Sequence, residues 1–184
     1  MEIISTPIPG LLIVKTAVFG DSRGYFTETY NRSTFEKSGL VTHFVQDNES
    51  MSNAGVVRGL HYQLEPFAQA KLVRVVIGRV FDVALDLRKG SPTFGQWFGI
   101  ELSGENKTQF YVPKGFAHGF AVLENNTVFA YKCDALYNLD AERGINFTDP
   151  KLAIDWPVDM GKAIVSEKDK LNPTFADAEY NFTF

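Results

Sequence analysis

The stretch Phe81-Asp82-Val83-Ala84-Leu85-Asp86-Leu87-Arg88 decides the fold class. Phe81, Val83, Leu85 and Leu87 alternate with Asp82, Ala84, Asp86 and Arg88, the period of a two-faced strand, so the polar set is expected to face water or a cavity. Just before it, Lys71–Ile77 (KLVRVVI) is another β-branched run, and Gly78 predicts a turn into Arg79 that makes the two runs a hairpin. Further short strands are predicted at 97–102, 109–112, 120–123 and 128–133. Breakers stand between them at Gly90-Ser91-Pro92, Ser103-Gly104, Pro113-Lys114-Gly115 and Glu124-Asn125-Asn126. Many short strands at this spacing predict an antiparallel sandwich or barrel.

Helical signals are brief. Ser33-Thr34-Phe35-Glu36 has the form of a capping box with Gly39 placed to end the helix, and Ser166-Glu167-Lys168-Asp169 offers a similar start. Neither is long enough to carry a core, which gives an all-β fold with short peripheral helices. No repeat, low-complexity tract or linker interrupts the 184 residues, so 1–184 is expected to form a single domain, able to bury roughly 70% of its unfolded surface.

Lys and Arg total 18 against 22 Asp and Glu, a net charge of -4, which argues against a broad nucleic-acid or anionic-membrane surface; any phosphate site must be local. The single cysteine, Cys133, excludes an intrachain disulfide and a multi-thiolate metal site and fits a reducing compartment. No basic leader with an apolar run opens the chain, and no uninterrupted apolar stretch of about 18 residues occurs. A cytoplasmic protein is therefore expected.

Chemistry has few carriers. The histidines are His43, His61 and His118. Metal-binding cupin barrels need two closely spaced histidines, yet the segment RGLHYQ around His61 has Gln63 where the second would stand, so no metal is expected. YVPKGFAHGF (111–120) does match the Pro-x-Gly-x-x-His form of the second cupin motif through Pro113, Gly115 and His118. Arg58, His61 and Gln63 lie within six residues, followed by Lys71, and the flanking glycines would let a ligand approach the backbone. Strict alternation sends Arg58 and His61 to opposite faces, a conflict that a bulge at Gly59 would remove.

Together these segments carry a family resemblance. FGDSRGYFTETYN (19–31), FVQDNES (44–50), VVRGLHYQ (56–63), KLVRV (71–75), GRVFDVALDLRKGSPTFGQW (78–97), PKGFAHGF and ERGINF follow the order of the dTDP-4-dehydrorhamnose 3,5-epimerase family and cover most of the chain. The resemblance implies a cupin-like jelly roll acting without metal or organic cofactor on a dTDP-sugar. The substrate would be dTDP-4-dehydro-6-deoxy-glucose and the product dTDP-4-dehydro-rhamnose, inverted at carbons 3 and 5 beside the 4-keto group. Such chemistry needs a base on one face of the ring, an acid on the other and a cation at the keto oxygen.

By the same resemblance, His61 is the base, Asp169 the carboxylate that orients it, Lys71 the cation at the enolate oxygen and Tyr131 the proton donor. His118 is a substrate contact. Arg23, Glu28, Gln46, Asn48, Arg58, Glu142 and Lys168 match nucleotide-binding positions, and Tyr137 the ring that stacks on thymine. The family further implies a homodimer with exchanged N-terminal strands, in which Arg23 reaches the neighbour's nucleotide. Taken as isolated residues, Asp169 reads as a capping acid, Lys71 as a solvated lysine, Tyr131 as a packed strand tyrosine and His118 as a buried histidine in a turn. Ala70 before Lys71, where glycine is common, and Ala135-Leu136, where the family is often more polar or aromatic, depart from the family pattern and bear on fine substrate preference, not on reaction class. The competing readings are a mono-epimerase on a related dTDP-4-keto-deoxysugar, a metal-dependent cupin, and a non-catalytic sugar-nucleotide binding module.

Overall fold

The alternating stretch at 81–88 forms a strand, and both of its faces are covered. In the computed structural model, which describes residues 1–40 and 43–184, Phe81, Val83, Leu85 and Leu87 pack outward against a C-terminal wrap that includes Ile145, Phe147, Trp156 and Phe182. Val80 and Ala84 face the other way, into the space between two sheets, and Asp82 and Asp86 share that side fully buried. The expectation that the polar set meets water or a cavity fails for Asp82 and Asp86, both fully buried; Asp82 lies behind His118, whose Nε2 is 2.9 and 3.0 Å from its two oxygens. Asp86 is instead wrapped by donors, the Arg88 backbone and guanidinium and the Ser91 and Thr93 hydroxyls, at 2.6 to 3.0 Å.

In chain order the strands are β1 (Glu2–Ser5), β2 (Leu12–Lys15), β3 (Val18–Asp21), β4 (Gly24–Thr27), β5 (Gln46–Ser52), β6 (Val57–Gln63) and β7 (Lys71–Ile77). They continue with β8 (Arg79–Asp86), β9 (Trp97–Ser103), β10 (Thr108–Val112), β11 (Phe116–Val122), β12 (Thr127–Cys133) and β13 (Glu142–Gly144). Two short helices, α1 (Arg32–Lys37) and α2 (Glu167–Lys170), decorate them. One antiparallel sheet runs β1-β2-β10-β7-β12-β5 and a second runs β13-β6-β11-β8-β9, while β3 and β4 pair by themselves. The two large sheets face each other across an apolar layer of Val73, Val75, Phe110 and Phe129 from one and Val80, Leu102, Phe116 and Phe120 from the other. This is a cupin-like jelly roll. Burying each such side chain stabilises the sandwich by about 1.5–3 kcal/mol.

The predicted hairpin at Gly78 does not form. β7 pairs with β10 and β12, whereas β8 pairs with β11 and β9, so Gly78 carries the chain from one sheet to the other. Helix α1 is capped by Asn31, whose side chain accepts from the Thr34 N–H, and not by Ser33. Glu36 leaves the expected capping box to pair with Arg32 one turn back at 2.7 Å. At α2 the predicted cap does form, with Ser166 accepting from the Asp169 N–H. The strand β5 has almost no apolar residue, and forms because all seven of its residues pair with β12. Its Gln46, Asn48, Ser50 and Ser52 are the more buried set, Asp47, Glu49 and Met51 the exposed one.

Candidate active site

The site begins with a fault in β6. Opposite it, β11 pairs His118 with His61 and Phe120 with Arg58, so Gly59 and Leu60 together span the single residue Gly119. This two-against-one count is a β-bulge, and it brings Arg58 and His61 to the wall of one cavity. Glycine is needed on both strands. Gly59 has φ of +125°, a Cβ there would lie 2.5 Å from the Gly119 Cα, and a Cβ on Gly119 would lie 2.6 Å from the Arg58 carbonyl oxygen. The glycines thus admit the neighbouring strand, and Gly119 also lines the cavity.

The cavity, about 470 Å³, lies within the size range of small-molecule sites. His61 Nε2 is 2.6 Å from Asp169 Oδ1, while Oδ2 accepts the Gly59 N–H at 3.4 Å. A third of the His61 side chain is exposed, but only 4% of Asp169. Burial opposes ionisation of Asp169, yet the hydrogen bond and charge of His61, with the Gly59 N–H, outweigh it and hold the carboxyl below the usual aspartate range. The carboxylate therefore serves the imidazole, while the backbone N–H of the same residue serves the cap.

Lys71 and Tyr131 reach the same cavity from the other sheet, on β7 and β12. Desolvation draws the Lys71 ammonium below the ordinary lysine range, against the pull of Cys133, Asp82 and Glu142. Desolvation likewise pushes the Tyr131 phenol up, helped by Cys133 and resisted by Arg58, so it keeps its proton at neutral pH. His118 completes the wall, its Nε2 2.9 and 3.0 Å from the two oxygens of Asp82. Asp82 is the group whose part in the site the sequence did not reveal. Its one signal was a carboxylate, like that of Asp86, on the inward side of a mostly apolar strand.

At the rim, Arg58 donates to the Ser52 hydroxyl at 3.1 and 3.3 Å. Lys168, also on the cavity wall, donates to Glu142, and the Tyr137 hydroxyl donates to the same carboxylate oxygen at 2.8 Å. The Tyr137 N–H reaches Gln46 Oε1 at 2.9 Å, and Gln46 Nε2 reaches Asn48 Oδ1 at 3.0 Å. Five sequence-predicted residues thus form one chain of contacts running outward from the cavity. Arg23 and Glu28 stay apart from it: Arg23, at the exposed tip of β3–β4, pairs with Asp21, and Glu28 accepts from Asn31. Among the described residues, no three His, Cys, Asp or Glu side chains are grouped to hold a metal ion.

This arrangement offers a carboxylate-oriented imidazole from one sheet, and a phenol and an ammonium from the sheet facing it. The family model described as dTDP-4-dehydrorhamnose 3,5-epimerase matches residues 5–177. The chain belongs to the dTDP-4-dehydrorhamnose 3,5-epimerase family. It is 52% identical over 181 residues to a dTDP-4-dehydrorhamnose 3,5-epimerase of Shigella flexneri, covering 98% of this chain and 99% of that one. The crystal structure of the enzyme of that name from Elizabethkingia anophelis superposes with a TM-score of 0.92 at 53% identity, over 96% of this chain and 97% of the other. A dTDP-6-deoxy-D-glucose-3,5-epimerase from Legionella pneumophila, in complex with dTDP-4-keto-L-rhamnose, gives 0.90 at 50% identity over 94% and 92%.

Proposed function

We propose that this protein epimerises dTDP-4-dehydro-6-deoxy-glucose at carbons 3 and 5, giving dTDP-4-dehydro-rhamnose. The observation that carries the proposal is one cavity walled by His61–Asp169 from one sheet and by Tyr131 and Lys71 from the other, in a chain about half identical to epimerases of this name. Carbons 3 and 5 both flank the 4-keto group, so a proton leaving either becomes part of an enolate whose charge sits on the keto oxygen. His61 takes that proton, with Asp169 fixing the ring and stabilising the imidazolium that forms. Lys71 faces the developing oxyanion as a compact charge in a poorly hydrated wall. Tyr131 returns a proton from its O–H to the opposite face; solvent then reprotonates the phenolate and takes the proton held by His61. Each inversion consumes and regenerates the same groups, so no cofactor is required.

The nucleotide lies along the outer contact chain. Arg58 and Lys168 neutralise the diphosphate, Gln46, Asn48 and Glu142 supply polar contacts, and Tyr137 offers a ring to thymine. His118 touches the sugar. Arg23 and Glu28 act across a homodimer with exchanged N-terminal strands. The β3–β4 hairpin supports this, because Phe19, Tyr25 and Phe26 are each more than half exposed there. The protein works as a single domain in the cytoplasm, a reading that its lone thiol and its nucleotide-sugar ligand support. Among the described residues, no helix is long and apolar enough to cross a membrane.

The test is incubation with dTDP-4-dehydro-6-deoxy-glucose and a reductase specific for the epimerised ketone. Appearance of dTDP-rhamnose is expected; return of only the starting sugar nucleotide contradicts the proposal.

A further inference from the structure

Gln63 stands where a metal-binding cupin would carry its second histidine, and it is buried, with only 4% of the residue exposed. A buried carboxamide needs partners, and this one has them. Its Oε1 accepts the Asn138 N–H at 2.7 Å, while Nε2 donates to the Phe67 carbonyl at 2.6 Å and to the Leu136 carbonyl at 3.3 Å. The surroundings call for one acceptor and two N–H donors on a single side chain. A glutamate offers no donor to either carbonyl, and a neutral histidine offers only one.

Leu136 and Asn138 bracket Tyr137, so one side chain grips the backbone immediately before and after that ring. Two other glutamines share the task. Gln69 Nε2 donates to the Ala135 carbonyl at 2.8 Å, and Gln46 Oε1 accepts the Tyr137 N–H at 2.9 Å. Each of the consecutive residues 135–138 is thus held through a main-chain group by a glutamine side chain. The far end of the ring is fixed as well: the Tyr137 hydroxyl donates to Glu142 at 2.8 Å, and Glu142 lies directly across from Gln63 in the β13–β6 ladder. Tyr137 nevertheless stays more than half exposed. An aromatic face left open to water, with its backbone and its hydroxyl both tied down, is ordered before any ligand arrives, so stacking a flat ring on it loses less entropy.

We infer that Gln63 is a positioning residue for nucleotide binding: its carboxamide clamps the 135–138 loop so that the Tyr137 ring stands ready to stack on the base, which rests on the reading of Tyr137 as the ring that meets thymine. The departure from the metal-binding pattern then has a physical sense. A position that would face a metal in such a barrel is given over to the edge of the nucleotide site. On β6 the proton acceptor His61 and the clamp are two residues apart, one serving the sugar and the other the loop that meets the nucleobase.

The experiment measures the dTDP Kd by calorimetric titration through a double-mutant cycle of Gln63→Met and Tyr137→Ala. Methionine keeps the length and bulk of the side chain and removes all three hydrogen bonds. Gln63→Met is expected to weaken dTDP binding about 10-fold when Tyr137 is present and less than about 2-fold when alanine replaces it. Equal losses in both backgrounds overturn the inference, because a clamp acting through Tyr137 has nothing to lose without that ring; unchanged affinity with Tyr137 present overturns it too. A second measurement needs neither ligand nor variant: exchange of the Asn138 backbone amide with heavy water, followed by NMR in the unliganded protein. Exchange slowed at least about 10-fold relative to an unstructured amide is expected, and free exchange there overturns the inference. If Tyr137→Ala alone leaves the dTDP Kd unchanged, the stacking reading fails and takes the role at the base with it; if only the cycle or the exchange fails, the fault lies in the clamp.

Discussion

His61 and Tyr131 enter the cavity from facing sheets, which makes their contributions separable by experiment. His61→Asn removes the base while keeping a polar side chain beside Asp169. Turnover is expected to fall by at least about 100-fold, with dTDP affinity nearly unchanged in a calorimetric titration, because the proposed nucleotide contacts lie elsewhere. Tyr131→Phe keeps the base and the enolate but removes the returning proton. In heavy water, deuterium should then wash into unreacted substrate faster than product appears, and equal rates would remove Tyr131 from the donor role. At this scale the sequence was informative about identities and weak on geometry. His61, Lys71, Tyr131 and Asp169 were recognisable from ordered motifs, yet as isolated residues all four read as structural, capping, surface or packing groups, His61 among them as a hydrogen-bonded structural histidine. Asp169 shows why. A capping signature fitted it, and its N–H does serve the cap while its carboxylate goes to His61, a contact 108 positions away in the chain that no local pattern encodes.

Among the elements, the strands built on β-branched runs were legible because their pattern matches the way their side chains are buried, as in β7 and β8. The strand β5 was not, since QDNESMS is polar on both faces and becomes a strand only through its seven-residue pairing with β12. The bulge in β6 was inferable from the conflict between Arg58 and His61. The sheet change at Gly78 was not, because a turn glycine looks the same whether the chain returns to the same sheet or crosses to another. The Asp86 knot makes an element-scale prediction. Burial opposes ionisation of this carboxyl, but hydrogen bonds from Arg88, Ser91 and Thr93 win and hold it below the ordinary value of 3.8. A depressed acid stabilises the fold fully above its unfolded value and loses that contribution as pH falls through the folded one. Asp86→Asn should therefore cost about 3 kcal/mol in urea unfolding at neutral pH, with the gap to the unaltered protein narrowing once pH drops below about 4. A gap that stays constant into acid would show that the knot holds through shape and not through charge.

For the whole molecule, an antiparallel sandwich or barrel was readable from strand spacing and the jelly roll from the family resemblance, while the partner surface was not readable from the residues themselves, because aromatic residues in a β-rich chain are mostly core. Phe26, 68% exposed, sits on a two-stranded sheet that neither large sheet pairs with. If a second copy covers it, Phe26→Glu should shift the protein from dimer to monomer in light scattering. Turnover should fall with it, since Arg23 would no longer reach a neighbouring site; an active monomer would detach the hairpin from catalysis. What unites these scales is the proposal that one cavity exchanges protons at both carbons beside one ketone. The most direct test runs the reaction to product in heavy water and reads the sugar ring by NMR. Deuterium at both carbon 3 and carbon 5 is the predicted result. Label at carbon 5 alone, or at neither, would contradict the account.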